Sequence, residues 1–146
     1  MAFRIAPQPI YERGKAHRKA VSDAPEQRKP RERDKAHMGR ISELPCTICH
    51  VYGVHVAHVR YASAIDDAPL VGKGEKPDDA RTVPLCPAHH LYGPDAQHKM
   101  NEAEWWRSHG INPYALCRAL YGVSGDMNLM TQLVLRARDI FKARMR

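Results

Sequence analysis

The sequence predicts a small α+β domain whose core is stapled by a metal ion, and three observations carry that prediction. Two C-x-x-C/H pairs, Cys46 with Cys49 and Cys86 with His89, flank the middle of the chain. Two short stretches rich in β-branched residues lie between the pairs, separated by a loop. Beyond the second pair, helix-start and helix-stop signals follow one another to the C-terminus. A chain of 146 residues is the size of one ordinary domain, so a single core with tails is expected.

Taken in order, residues 1–40 hold prolines at 7, 9, 25 and 30 and few large apolar residues after Tyr11, a composition unable to bury a core. They read as a basic arm, flexible or locally helical. Cys46 and Cys49 form a tight knuckle that feeds the alternating run His55-Val56-Ala57-His58-Val59-Arg60, which is predicted as a strand. Residues 61–80 are a long loop containing Gly, Pro and Asp. Arg81 to Leu85 is a second extended piece, which Pro84 confines to an edge or a strand end.

After Cys86-Pro87, residues 88–92 read as the first turns of a helix interrupted at Gly93-Pro94. Asn101 followed by Glu102 and Glu104 is an N-cap with an acidic first turn, starting a helix to Ser108 that Gly110 ends. Asn112-Pro113 starts another, stopped by Gly122. Leu129, Met130, Leu133, Val134, Ala137, Ile140 and Phe141 share one side of a final basic, amphipathic helix. The division is an arm over 1–40, a core over 41–113 and C-terminal helices over 114–146.

No run approaches the roughly 20 apolar residues of a membrane span, and the N-terminus lacks the apolar stretch of a signal peptide, so a soluble, cytoplasmic protein is expected. In a reducing compartment the cysteines favour metal over disulfides. Charge is unevenly spread. Residues 1–40 carry eleven Lys/Arg against five Asp/Glu, residues 41–126 seven against ten, and residues 127–146 five against one. Basic ends around a mildly acidic centre suit a binder of polyanions, although a merely solubilising surface has the same composition.

Two C-x-x-C/H pairs are the arrangement by which two knuckles supply four soft ligands to tetrahedral zinc. The alternative is that Cys46 and Cys49 are free thiols or a redox pair, and a thioredoxin-like pair would require a βαβ setting that the sequence does not show. His90 directly follows His89, and adjacent helical residues point about 100° apart, so the two face different sites. His58 from the strand, Asp78 or Asp79 from the loop and His98 beyond the Gly-Pro break offer a second set of hard or borderline ligands.

From Pro45 to Pro113 the chain resembles the HNH endonucleases of the ββα-metal (His-Me finger) type, and within them the phage and prophage branch that includes Ref and YbcO-like nucleases. The resemblance rests on Cys46/Cys49, Ala57-His58-Val59-Arg60, Lys76-Pro-Asp-Asp79, Val83-Pro-Leu-Cys86-Pro-Ala-His89-His90, His98, Asn101-Glu-Ala-Glu-Trp-Trp106 and Gly110-Ile-Asn-Pro113, in that order. It implies a ββα-metal core in which Cys46, Cys49, Cys86 and His89 bind a structural zinc. By the same resemblance His58 is the general base, Asp79 either orients that base or helps to bind metal, and His90 with His98 holds a catalytic Mg²⁺ or other divalent ion. Ala57 departs from the pattern where many members carry a second His or Asp ligand, which is then missing or replaced by a group such as His55. The spacer 91–97 is also longer than that pattern has.

The implied activity is metal-dependent hydrolysis of DNA phosphodiester bonds leaving 5′-phosphates, in phage DNA processing or recombination. A neutral imidazole suits the base role near neutral pH, and the ion would offset charge developing on the phosphate. The basic arm and last helix would hold the DNA backbone without reading sequence. Two other readings remain: a non-catalytic zinc-knuckle protein that binds DNA or a recombination partner, and an oligomerising accessory protein, such as a homodimer, built on Trp105, Trp106 and the last apolar stripe. Simple core packing accounts for the same aromatics.

Overall fold

A computed structural model describes residues 30–144, which form one compact unit from Arg31 onward. The arm's first 29 residues lie outside the described residues. The architecture is mixed α and β: helix α1 (Lys35–Ser42), strands β1 (His55–His58) and β2 (Thr82–Leu85), a π-helical turn (Ala88–Tyr92), a 3-10 turn (Gln97–Lys99), and helices α2 (Glu102–Ser108), α3 (Pro113–Gly122), α4 (Met127–Leu135) and α5 (Ala137–Ile140). Among the described residues no helix is long and apolar enough to cross a membrane.

The compact unit starts inside the segment expected to be an arm. Asp34 caps α1 by accepting the His37 amide at 2.8 Å, and His37 and Ile41 are buried beneath it. Ahead of α1, the Asp79 amide donates to Glu32 O at 3.1 Å and the Glu32 amide donates to Asp78 Oδ1 at 2.8 Å. Residues 31–40 therefore belong to the folded unit, with His37 buried in it.

β1 and β2 pair antiparallel, His55 opposite Leu85 and His58 opposite Thr82. This register decides the layout of the molecule. The chain entering β1 and the chain leaving β2 lie at one end of the hairpin, and the chain leaving β1 and entering β2 lies at the other. Pro84 is tolerated within β2 because the sheet has two strands, so one backbone edge of each needs no ladder donor. That edge still serves as an acceptor: Pro84 O receives the Thr47 amide at 2.9 Å and Thr47 Oγ1 at 3.0 Å, fastening the knuckle to β2.

The core lies between the hairpin and the helices, with Leu44, Val59, Leu85, Leu116, Leu120 and Met130 fully buried. Trp105 and Trp106 join it edge to face at 4.8 Å, so core packing, and no exposed interface, accounts for both aromatics. The predicted caps form. Asn101 accepts from Glu104 N, and Asn112 accepts from Tyr114 N and Ala115 N with Pro113 at the first helical position.

The final helix differs from the continuous one expected. It breaks at Arg136, where ψ rises to 15°, into α4 and the single turn α5. Met130, Val134 and Ala137 face inward, while Leu129 and Ile140 are exposed. The break lets the chain turn back on the α2–α3 connection, where Asn112 N donates to Phe141 O at 2.6 Å, Ala143 N donates to Gly110 O at 3.2 Å, and Ile111 bridges Lys142. That tertiary pairing outweighs one more turn of a local helix.

Candidate functional site

The two ends of the hairpin carry two clusters. At the first, the ligand atoms of Cys46, Cys49, Cys86 and His89 all lie within 4.8 Å of one another. The knuckle is shaped by its own backbone: Cys46 N donates to Val51 O at 2.8 Å and His50 N to Cys46 O at 2.9 Å, with His50 turned to a φ of 64°. Cys86 leaves β2 and opens the π-helical turn, which brings His89 Nδ1 to 3.1 Å from Cys86 Sγ and 3.7 Å from Cys46 Sγ. Cys49 Sγ and Cys86 Sγ stand 3.7 Å apart.

A tetrahedron with metal–sulfur bonds of ~2.3 Å has sulfur–sulfur edges of about 3.8 Å, so the spacing fits tetrahedral zinc. The donor set can hold a metal ion, and Nδ1 is the nitrogen His89 offers. Without a cation the sulfurs compete for charge. Burial opposes ionisation of Cys46, but knuckle amides and Cys49 bring its thiol below the ordinary range; burial together with Cys46 pushes Cys49 up to about 11. A divalent cation removes that conflict.

His89 and His90 diverge on the π-helical turn. The turn closes by Gly93 N donating to Ala88 O at 2.8 Å, and a Cβ on Gly93 would meet that oxygen at 2.5 Å, so the approach requires glycine. His90 faces away from the sulfurs. Its Nδ1 is 3.0 Å from His55 Nδ1, and its ring centre is 4.8 Å from that of His98. Burial, then His98, His55 and His58, push the His90 pKa down to about 4, leaving the imidazole neutral at physiological pH. Among the described residues the knuckle cysteines and His89 are the group of His, Cys, Asp or Glu spaced to share an ion; His55, His90 and His98 form a chain of rings around His90.

At the far end His58 meets Asp79, which the register brings there because Asp79 lies three residues before Thr82 and is tied to it by Thr82 Oγ1 donating to Asp79 O at 2.8 Å. His58 Nε2 is buried, 3.5 Å from Asp79 Oδ1, and makes no full hydrogen bond. That leaves Nδ1 as the nitrogen available to a pocket of about 270 Å³, lined by His58, Arg60, His98 and Glu102 among others. Burial lowers the His58 pKa, and the nearby Arg31 and Lys76 cations lower it further against the pull of Asp79.

Asp79 is itself almost fully buried. Its carboxylate accepts from Arg31 Nη2 and from the Asp34 amide at 2.9 Å. Burial works against its charge, but Arg31 and the Asp34 amide prevail and hold its carboxyl below the usual range. Asp79 thus sits with Arg31 and His58, while His90 and His98 sit with His55. Ala57 is fully buried in the strand.

Two residues at this end escaped the sequence reading. Arg31 stood among arm residues, and only its fold contact with Asp79 distinguishes it. Glu102 read as a first-turn acid, yet its carboxylate accepts the Arg60 amide at 3.0 Å, the Tyr61 amide at 3.1 Å and Gln97 Nε2 at 2.7 Å. It fixes the exit of β1 beside His58, and burial raises its pKa. No protein-family model matches the chain, and no curated protein or solved structure is significantly similar to it.

Proposed function

We propose that this chain is a metal-dependent endonuclease of the HNH type, hydrolysing DNA phosphodiester bonds around a ββα-metal core. The observation that carries the reading is the division of one hairpin: a Cys₃His ligand set at one end and a buried His58–Asp79 pair facing a pocket with His98 at the other. The knuckle zinc is structural. His58 is the general base: its Nδ1 takes a proton from water in the pocket, and Asp79 stabilises the imidazolium through Nε2–H. Of the two roles open to Asp79, orienting the base accords with its partners.

By the resemblance His90 and His98 would hold the catalytic divalent ion, with His55, whose Nδ1 lies 3.0 Å from His90 Nδ1, in place of the donor that Ala57 lacks; as they stand the three rings are not spaced to share one ion. When bound, the ion offsets charge on the phosphate in the transition state. Burial lowers the pKa of His90 and of His98, which keeps their lone pairs available to a metal. An all-imidazole set would favour a borderline ion such as Zn²⁺ or Ni²⁺ over Mg²⁺. DNA is held by phosphate contacts from the basic arm and from the exposed cations Arg136, Arg138 and Lys142 in and around α5, and such an enzyme would act in the cytoplasm of a bacterial host on phage or prophage DNA.

The test is plasmid nicking by the zinc-loaded protein with Mg²⁺ or Mn²⁺ added. Wild type nicks and His58→Ala does not. Nicking that survives His58→Ala removes the base role. Absence of nicking with any divalent ion supports a second reading, a zinc-knuckle DNA-binding or recombination-accessory protein, which the apolar Ala57 favours.

A further inference from the structure

Beside the His58 pocket lies a second cavity, of about 530 Å³, within the size range of small-ligand sites. Tyr61 lines both, and Glu102 of the first is followed in α2 by Ala103 of the second. The cavity's walls come from the 61–66 loop, α2 and the segment at 143–144. All are fixed. Ser63 bridges Ala68, and Asp66 accepts from Ser63 Oγ at 2.6 Å, Asn112 Nδ2 at 3.3 Å and Arg118 Nη2 at 3.2 Å. The 143–144 segment is held by the backbone pairing of Ala143 with Gly110.

Among the described residues Asp66 is the one carboxylate in the lining, and both of its oxygens are engaged. Arg107 and Arg144 line the same cavity, and among the described residues neither guanidinium has a hydrogen bond or ion pair. Against these unpaired cations stands an apolar edge formed by Tyr61 and Ile65, the latter 67% exposed. A preformed space with two free guanidinium groups and an uncovered apolar wall matches a ligand that is anionic at one side and flat and apolar at the other.

We propose that this cavity is a subsite for one nucleotide of the bound strand, next to the scissile phosphate: Arg107 and Arg144 take its phosphate, and its base rests against Tyr61 and Ile65. The assignment rests on the nuclease reading, which runs a nucleic-acid strand past His58; the cavity then receives the neighbouring unit. Arg107 and Arg144 bind phosphate without sequence information, and the apolar wall accepts any base face.

Binding of a labelled short single-stranded DNA to the zinc-loaded protein, measured by fluorescence anisotropy without added divalent ions, tests it. Arg107→Ala lowers affinity about 10-fold and flattens the slope of log K against log salt by about 0.7, the effect of one lost phosphate contact on a single strand. Ala103→Trp fills the cavity, lowers affinity by a similar factor and leaves that slope unchanged. Circular dichroism and zinc content confirm that each variant folds. Variants that bind within twofold of wild type overturn the subsite, whatever the nicking assay gives. A wild type that fails to bind the oligonucleotide, or that binds inorganic phosphate equally well, also overturns it. Weakened binding in both variants without any nicking by wild type retains the subsite and removes the nuclease reading instead.

Discussion

The two ends of the β1–β2 hairpin bear ligand-type side chains of similar chemistry but are built in different ways. At the knuckle end, all four donors come from two short segments whose own backbone turns aim them at one point, and Thr47 fastens one segment to β2. At the histidine end, the pieces arrive separately: His58 from β1, Asp79 from the loop before β2, Arg31 from ahead of α1, His98 from a 3-10 turn and Glu102 from α2. The first end has the donors to be held by a bound metal ion, whereas the second is held by the rest of the fold. At the second, His58 lines a pocket, which is why the proposed chemistry is placed there.

Metal removal should separate the ends most sharply. Zinc binding supplies about 10–16 kcal/mol of apparent folding free energy in zinc-finger peptides, and stripping it here, or replacing Cys86 by Ser, should abolish a cooperative thermal transition. Metal analysis should return one zinc per chain for wild type. A melt unchanged by chelator would mean that the knuckle is not what holds the hairpin.

Next in size is Arg31→Ala. It leaves the buried Asp79 carboxylate without its cation, and the cost should be about 2–3 kcal/mol in a urea titration, below the full buried-pair value because Arg31 is partly exposed. Zinc content should not change. A loss under 0.5 kcal/mol would show that residues 31–34 do not brace the histidine end.

Acid should distinguish the ends more gently. His37, His58 and His90 have lowered pKa values, chiefly through burial, so the unfolded chain takes up protons near pH 6.5 that the native state refuses until lower pH, about 4 for His90. Their stabilising contribution is complete above about pH 6.5 and is lost as pH falls towards 4. Urea midpoints at pH 7.5, 6 and 5 should fall in that order; zinc measured alongside separates this loss from release of metal by protonated His89. Rising midpoints towards pH 5 would contradict the buried, neutral histidines.

The smallest effect belongs to Arg118→Ala. Its pair with Asp66 has a largely exposed guanidinium, and Asn112 and Ser63 still hold the carboxylate. A loss under about 1 kcal/mol is expected from the same urea titration. A larger one would mark Arg118 as a principal support of the 61–68 loop.

Local features were legible where a residue's role depends on its near neighbours. The cysteine knuckles, the caps at Asn101 and Asn112, the stop at Gly110 and the divergence of His89 from His90 all follow from spacing and backbone chemistry. The single long last helix was not, because its break at Arg136 serves a backbone pairing with residues 110–112. Arg31 was hidden for a similar reason: in sequence it is one cation in a basic run, and only a buried carboxylate 48 residues away gives it a task.

By itself the sequence determined the Cys₃His ligand set, the two short strands and the starts of α2 and α3, since each depends on interactions within a few residues. Tertiary structure alone decided which end of the hairpin receives Asp79, that His90 lies against His55 and His98, and that residues 31–40 belong to the folded unit. The physical reason is register. A two-stranded ladder with His58 opposite Thr82 brings distant segments to one end, and no local propensity encodes that alignment.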